Sequence, residues 1–209
     1  MNEQLLDTLV DQVVAKINQD RSFLVEASGR HIHLSQEHID ELFGKDYQLS
    51  LNNYLSQPGQ FASKERLTIL GPKGALHNVV VLGPPRKASQ VEVSATDALT
   101  LGVKVPVRES GDIEGTPGII LVNGNKVVSL EQGLIVAKRH VHVATKDASK
   151  MNVSQGDIVK VKVVSDQRSL IFDDVVIRVS DKFATAMHID YDEANACSFK
   201  KGIRGFIVK

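Results

Sequence analysis

The chain has 209 residues, of which 42% are hydrophobic and 5% aromatic, enough for one compact unit or two small ones sharing a core. Its 25 basic and 25 acidic residues cancel, which excludes a global electrostatic pull toward nucleic acid or an anionic membrane, so any anionic ligand must be held by a local cluster. The single cysteine, Cys197, excludes an internal disulfide and a Cys-x-x-Cys metal site.

In chain order, Leu5, Leu6, Leu9, Val10, Val13, Val14 and Ile17 recur at steps of three and four and predict an amphipathic helix over residues 3–18. No basic stretch precedes an apolar run there, so no secretory signal is expected. No apolar run approaches the ~20 residues of a membrane span. The expectation is a soluble cytoplasmic protein. After a short strand at residues 22–27, the chain reads as many short strands. Residues 66–70, 79–82, 90–94, 119–122, 133–137, 158–164, 173–179 and 205–208 are the candidates. Gly and Pro turns such as Gly83-Pro84-Pro85 and Thr116-Pro117-Gly118 separate them. Helices are few and short, at residues 35–43, 94–101, 145–150 and 190–196. Without sustained strand–helix alternation, the class is mainly β, of barrel or sandwich type.

The segment Arg30-His31-Ile32-His33-Leu34-Ser35 recurs about half a chain later as Arg139-His140-Val141-His142-Val143-Ala144. Each copy follows an apolar strand and precedes a polar segment with a hydroxyl, Ser35 or Thr145, placed to cap a helix. The echo predicts two similar subdomains. On a strand, side chains alternate between faces, so both histidines of each copy share one face and can converge on one ion. Imidazoles suit zinc and its neighbours, and the lack of cysteine ligands favours an open site over a closed structural one. A single His-x-His is more simply ordinary strand polarity; two copies with the same flanks favour metal. His188, in Met187-His188-Ile189, is the natural third ligand for one pair, although a lone histidine of this kind is more often a satisfied core residue. Glu92, in Val91-Glu92-Val93, is a further ligand candidate, its alternative being a solvated strand face. Arg86 follows Gly83-Pro84-Pro85, a stiff turn that holds a phosphate-matching guanidinium in place, or simply a surface arginine after a loop. Lys73, in Gly71-Pro72-Lys73-Gly74, offers a second phosphate contact, or is solvated. His38 and His77 are read as surface residues, and nothing activates Cys197, which is read as packing.

Together, Ser28-Gly29-Arg30-His31-Ile32-His33-Leu34-Ser35, Gly83-Pro84-Pro85-Arg86 with Gln90-Val91-Glu92-Val93-Ser94, Arg139-His140-Val141-His142 and Met187-His188-Ile189-Asp190 resemble the PduL-type phosphate propanoyltransferase family. The resemblance runs from about Phe23 to Lys209. It implies two short-stranded β-barrel subdomains with short capping helices, the first from residues 22–29 plus 138–209 and the second from 30–137, with residues 1–20 as an amphipathic extension. It implies two zinc ions between the subdomains, one on His31, His33 and Glu92, the other on His140, His142 and His188. Arg86, helped by Asn195, would grip phosphate, while Ala27, Ser28, Gly29 and Lys73 would meet coenzyme A. The implied reaction is acyl-CoA + phosphate ⇌ acyl phosphate + CoA, with acetyl or propanoyl groups and direct phosphate attack. Relatives often carry a basic residue where this chain has Val80, which removes one coenzyme A contact. A homodimer is expected. The N-terminal helix would dock on its own barrel or another subunit, or enter a bacterial microcompartment through shell or lumen proteins.

Three rivals compete. A cupin-like site would need Glu37 on a strand, but residues 35–43 read as helix. A dinuclear metallohydrolase of thioesters would use the same ions and arginine on water. A metal-stabilised assembly module would hold its ions without an open position.

Overall fold

The computed structural model describes residues 8–10, 12–14, 16 and 21–208. Within the expected N-terminal helix the described residues are helical, with Leu9, Val10, Val13 and Val14 each about half exposed; the rest of that segment lies outside the described residues. No helix among the described residues is long and apolar enough to cross a membrane. The chain is mainly β and divides into two units. One takes the chain up to Glu26, Arg139–His188 and the chain from Asn195 on; the other takes Ala27–Lys138 and Ile189–Ala194.

The first unit is built on a closed six-stranded barrel. Its strands are β1 (Phe23–Ala27), β11 (His140–Val143), β12 (Ile158–Val163), β13 (Leu170–Val179), β14 (Ala186–Ile189) and β15 (Arg204–Val208), in the order β1-β14-β11-β13-β12-β15. The period-2 patterning of short valine-rich strands puts Val141, Val143, Val161, Val163, Val175, Ile177 and Met187 in the interior, all fully buried. Cys197 is fully buried as well, in keeping with a packing role. A short helix, Thr145–Met151, follows β11.

The second unit is a curled nine-stranded sheet. Its strands are β2 (His31–His33), β3 (Leu51–Tyr54), β4 (Phe61–Leu70), β5 (Ala75–Gly83), β6 (Gln90–Glu92), β7 (Val107–Arg108), β8 (Ile119–Asn123), β9 (Lys126–Leu130) and β10 (Leu134–Ala137). The order is β7-β10-β6-β2-β5-β4-β8-β9, with β3 beside β4. Helices α1 (Gln36–Phe43) and α2 (Ala95–Leu101) follow β2 and β6. Ile39 and Leu42 of α1, with Ala98 and Leu101 of α2, are buried in one cluster with Ile32, Val81, Val91 and Leu121. Along β4 the buried residues pass from the polar Ser63 and Glu65 to the apolar Leu67 and Ile69; the Glu65 carboxylate accepts from Tyr47 Oη at 2.8 Å and Ser50 N at 3.1 Å. With α3 for Thr145–Met151 and α4 for Tyr191–Ala196, the halves share one element order. Each runs His strand, helix, antiparallel hairpin, short strand, helix: β2-α1-β4-β5-β6-α2 and β11-α3-β12-β13-β14-α4, with β3 inserted in the former.

The helix caps differ between the copies. Ser35 caps α1, its side chain accepting from His38 N. The expected Thr145 cap is not formed: Ala144 holds the N-cap position of α3 without a side-chain bond, because Thr145 is already the first helical residue. β3, β7, β9 and β14 were not foreseen; β3 is Leu-Asn-Asn-Tyr with every side chain exposed, and β7 has only two residues. Ile177→Ala, which empties a fully buried site in the barrel, is expected to cost about 2–5 kcal/mol. Leu99→Ala, on the exposed face of α2, should stay within about 0.5 kcal/mol. Urea unfolding midpoints check both.

Candidate active site

In the second unit, β2 lies between two neighbours of opposite sense. It pairs parallel with β5, His31 beside Val80 and His33 beside Leu82, and antiparallel with β6. The antiparallel register sets His31 directly across from Glu92 and His33 across from Gln90. Directly opposed residues on an antiparallel pair bring their side chains together on one face. His31 Nε2 lies 3.3 Å from Glu92 Oε2, and His33 Nε2 lies 3.9 Å from Oε1. All three side chains are buried. Among the described residues, this is the group of three with ligand atoms all within 4.8 Å of one another.

The electrostatics fit a cation. Burial disfavours charge on His31, but the Glu92 carboxylate opposite and the Gly29 carbonyl outweigh it and raise the pKa. Nδ1 of His31 sits 2.8 Å from Gly29 O. Donating there fixes the tautomer that leaves Nε2 turned toward Glu92 as the ligand nitrogen. Burial, then the neighbouring His31 and Arg86 charges, hold His33 well below its ordinary value, so it presents a neutral imidazole. Glu92 stays ionised: burial opposes this, but His31, His33 and the Ser110 hydroxyl hold its pKa far down. A buried carboxylate between two imidazoles, one of them neutral, is a donor set that suits zinc or a neighbouring metal.

Arg86 belongs to the same cluster. It follows β5 through Gly83-Pro84-Pro85, and its backbone N–H donates to Leu34 O at 2.8 Å, which folds the turn back onto the end of β2. Gly83 is required because a Cβ there would run into the Phe61 ring. The half-buried guanidinium donates to Ser110 Oγ at 3.0 Å. Ser110 donates in turn to Glu92 Oε1 at 2.8 Å, and Gln90 Nε2 donates to the same oxygen at 2.6 Å. Sequence reasoning missed both partners. Gln90 carried a signal, two residues before Glu92 on the same strand face, whereas Ser110 lies in an irregular turn with none.

The first unit repeats the arrangement. β11 pairs parallel with β13 and antiparallel with β14, and the latter register sets His140 across from His188 and His142 across from Ala186. The three ring centroids lie 4.6, 4.9 and 5.3 Å apart. Phe183 stacks on His142 at 4.1 Å. Burial, then the His140 and His188 charges, push His142 down to about 2. Its Nδ1 is buried without a hydrogen-bond partner. Such an orphan costs about 1–3 kcal/mol, and a cation would satisfy it. Glu26, unnoticed in the sequence, reaches within 3.8 Å of His188 Nε2.

The remaining candidates are more scattered. Ala27, Ser28 and Gly29 lead directly into β2, and Ser28 N donates to Ile189 O at 2.8 Å. The Tyr191 ring leaves no room for a side chain at Gly29, where a Cβ would come within 2.8 Å. Lys73 is exposed in the turn before β5, with its stem against Gly102. Ala75, the first residue of β5, is already roughly 16 Å along the strand from the level of His31. Asn195 is exposed on α4. Arg30 and Arg139, the shared flanks of the motif, have separate structural roles. Arg30 pairs with Asp97 at 2.8 Å, and Arg139 donates to Asp173 O at 2.6 Å. His38, expected at the surface, is half-buried and bonds to Ser89 Oγ at 2.7 Å, while His77 is exposed and bonds to Thr68.

Residues 24–200 match the family model described as phosphate propanoyltransferase. A phosphate propanoyltransferase of Listeria monocytogenes is 58% identical over 100% of this chain and 98% of its own length. One of Enterococcus faecalis is 59% identical over 98% and 97%, and one of Thermotoga maritima is 51% identical over 96% and 95%. With the match covering most of the chain and the relatives aligned almost end to end, the chain belongs to the phosphate propanoyltransferase family.

Proposed function

We propose that the protein is a phosphotransacylase that interconverts acyl-CoA plus phosphate with acyl phosphate plus CoA, for acetyl or propanoyl groups. The observation that carries this reading is the buried His31–His33–Glu92 cluster with the Arg86 guanidinium tied to it through Ser110. Phosphate is a weak nucleophile toward a thioester, so it must be concentrated and aimed. The Arg86 fork binds two of its oxygens and leaves a third free to attack the carbonyl carbon. The C–O bond forms, the C–S bond breaks, and the proton of hydrogen phosphate ends on the CoA sulfur. Cys197, the only thiol, is fully buried, which supports direct attack without an acyl-enzyme.

We assign one zinc ion to His31, His33 and Glu92 and a second to His140, His142 and His188. Bound there, zinc would supply positive charge for the oxyanion or thiolate that develops. Asn195 is proposed to assist in holding phosphate, and Ala27, Ser28, Gly29 and Lys73 to contact coenzyme A, with Val80 offering no basic contact. The exposed stripe of Leu9, Val10, Val13 and Val14 supports a role for the N-terminal helix in contacting a second subunit or a microcompartment protein. Deleting residues 1–18 tests this: unchanged activity with lost packaging supports targeting, and a lost dimer supports the subunit contact.

CoA release from acetyl- and propanoyl-CoA should require both phosphate and metal, vanish on chelation and return with zinc. Release without phosphate would establish a hydrolase, and no release with metal bound would leave an assembly module. Arg86→Ala should lower kcat/KM for phosphate by about a hundredfold or more. Zinc uptake should also release protons, because His31 carries one below its raised pKa and the ion must displace it, whereas the neutral His33 has none to give. Zinc affinity therefore falls as pH drops through the His31 pKa, and calorimetry in buffers of different ionisation enthalpy reads the proton count.

A further inference from the structure

Ser110 Oγ makes three hydrogen bonds: from Arg86 Nη1 at 3.0 Å, from Gln90 Nε2 at 2.9 Å, and to Glu92 Oε1 at 2.8 Å. A hydroxyl has one proton and two lone pairs, so this count is complete. The direction is not free. An ionised carboxylate only accepts, so Ser110 must spend its proton on Glu92 and offer both lone pairs to the two donors. Both amide protons of Gln90 are likewise used. Its amide protons go to Glu92 Oε1 and Ser110 Oγ, and its carbonyl accepts from Gly111 N at 2.7 Å, which fixes the turn carrying Ser110. Gln90 and Glu92 are buried, so water does not readily replace these bonds. Both fixed donors fall on Oε1, and Oε2 is left facing His31.

We infer that Ser110, held by Gln90, is a positioning residue that couples the phosphate-binding guanidinium of Arg86 to the metal-binding carboxylate of Glu92. One hydroxyl orients the ligand oxygen of Glu92 and the fork of Arg86 together, so the two anchors of the reaction hold a fixed separation. Removing it loosens both at once, whereas a residue that merely supported the fold would not select phosphate and metal over the thioester. The inference rests on the phosphotransacylase reading for the role of Arg86, but the coupling is measurable without turnover.

Ser110→Ala, Ser110→Thr and Gln90→Leu are compared with the unaltered full-length protein. Zinc affinity is read by chelator competition, inorganic phosphate binding to the zinc-loaded protein by calorimetry, and KM for phosphate and for acetyl-CoA separately. Ser110→Ala and Gln90→Leu are expected to weaken zinc at the Glu92 cluster by about tenfold and phosphate by a similar factor. The KM for acetyl-CoA should stay unchanged, and Ser110→Thr, which keeps the hydroxyl, should restore both affinities. A folded Ser110→Ala protein that binds zinc or phosphate as tightly as the unaltered one overturns the coupling. If the unaltered protein shows no phosphate-dependent transfer, the functional reading fails, and the zinc and phosphate binding arms still decide the coupling.

Discussion

Everything in the two histidine clusters depends on one constraint, the antiparallel register between each His-x-His strand and its short neighbour. That register sets Glu92 opposite His31 and His188 opposite His140. Because strand side chains alternate, a slip of one residue would turn the third side chain to the other face and bury a charge among Ile32, Val91 and Leu121. The register is protected on both sides. The hydrophobic alternation of Ile32 against Val91 and Val141 against Met187 holds these residues in the core and turns the intervening ones to the opposite face. The parallel pairing with β5 or β13 fixes the strand from its other edge. The chemistry is thus stored in packing: the valines and isoleucines that never touch a ligand decide where the imidazoles point.

Much of this was legible in the sequence. The His-x-His echo announced a duplicated fold, and period-2 alternation placed the strands that carry His31, His33, Glu92, His140 and His142, while His188 was marked only by its apolar flanks. Both helices that follow the echoed strands were foreseen, although Ser35 forms its cap and Thr145 does not, a difference of one residue in where the helix begins. Pairing partners were not legible, because strand order is decided by non-local contacts. Nothing in Arg108-Glu109-Ser110-Gly111 says that its serine meets Glu92 and Arg86. β3 escaped notice because its side chains are all exposed, so no apolar face marks it. Glu26 was hidden inside an ordinary strand, where only the placement of β1 beside β14 brings it near His188.

The duplication is one of framework and not of chemistry. The residue opposite the second histidine is Gln90 in one copy and Ala186 in the other. Glutamine there starts a polar network of hydrogen bonds. Alanine leaves room, and Phe183 stacks on His142 instead. One cluster therefore has a carboxylate among its three converging side chains; the other has three imidazoles with an aromatic wall and an orphan nitrogen, and Glu26 stands 3.8 Å from His188. A shared strand order preserves the convergence of three side chains, while a single residue beside them sets how each group is held.

The barrel of the first unit closes where β1 meets β15, Phe23 beside Gly205. These strands are separated by nearly the whole intervening sequence, which includes every strand of the second unit. On a ribosome, β2 through β10 emerge as one uninterrupted stretch and can pair among themselves early, whereas the early strand β1 must wait for β14 and β15 to appear. Its unpaired edge and the apolar faces of Phe23 and Val25 are then open to other nascent chains for most of the time of synthesis. The architecture thus gives the two histidine clusters different birthdays, and makes the emergence of β15 the event that closes the barrel carrying one of them.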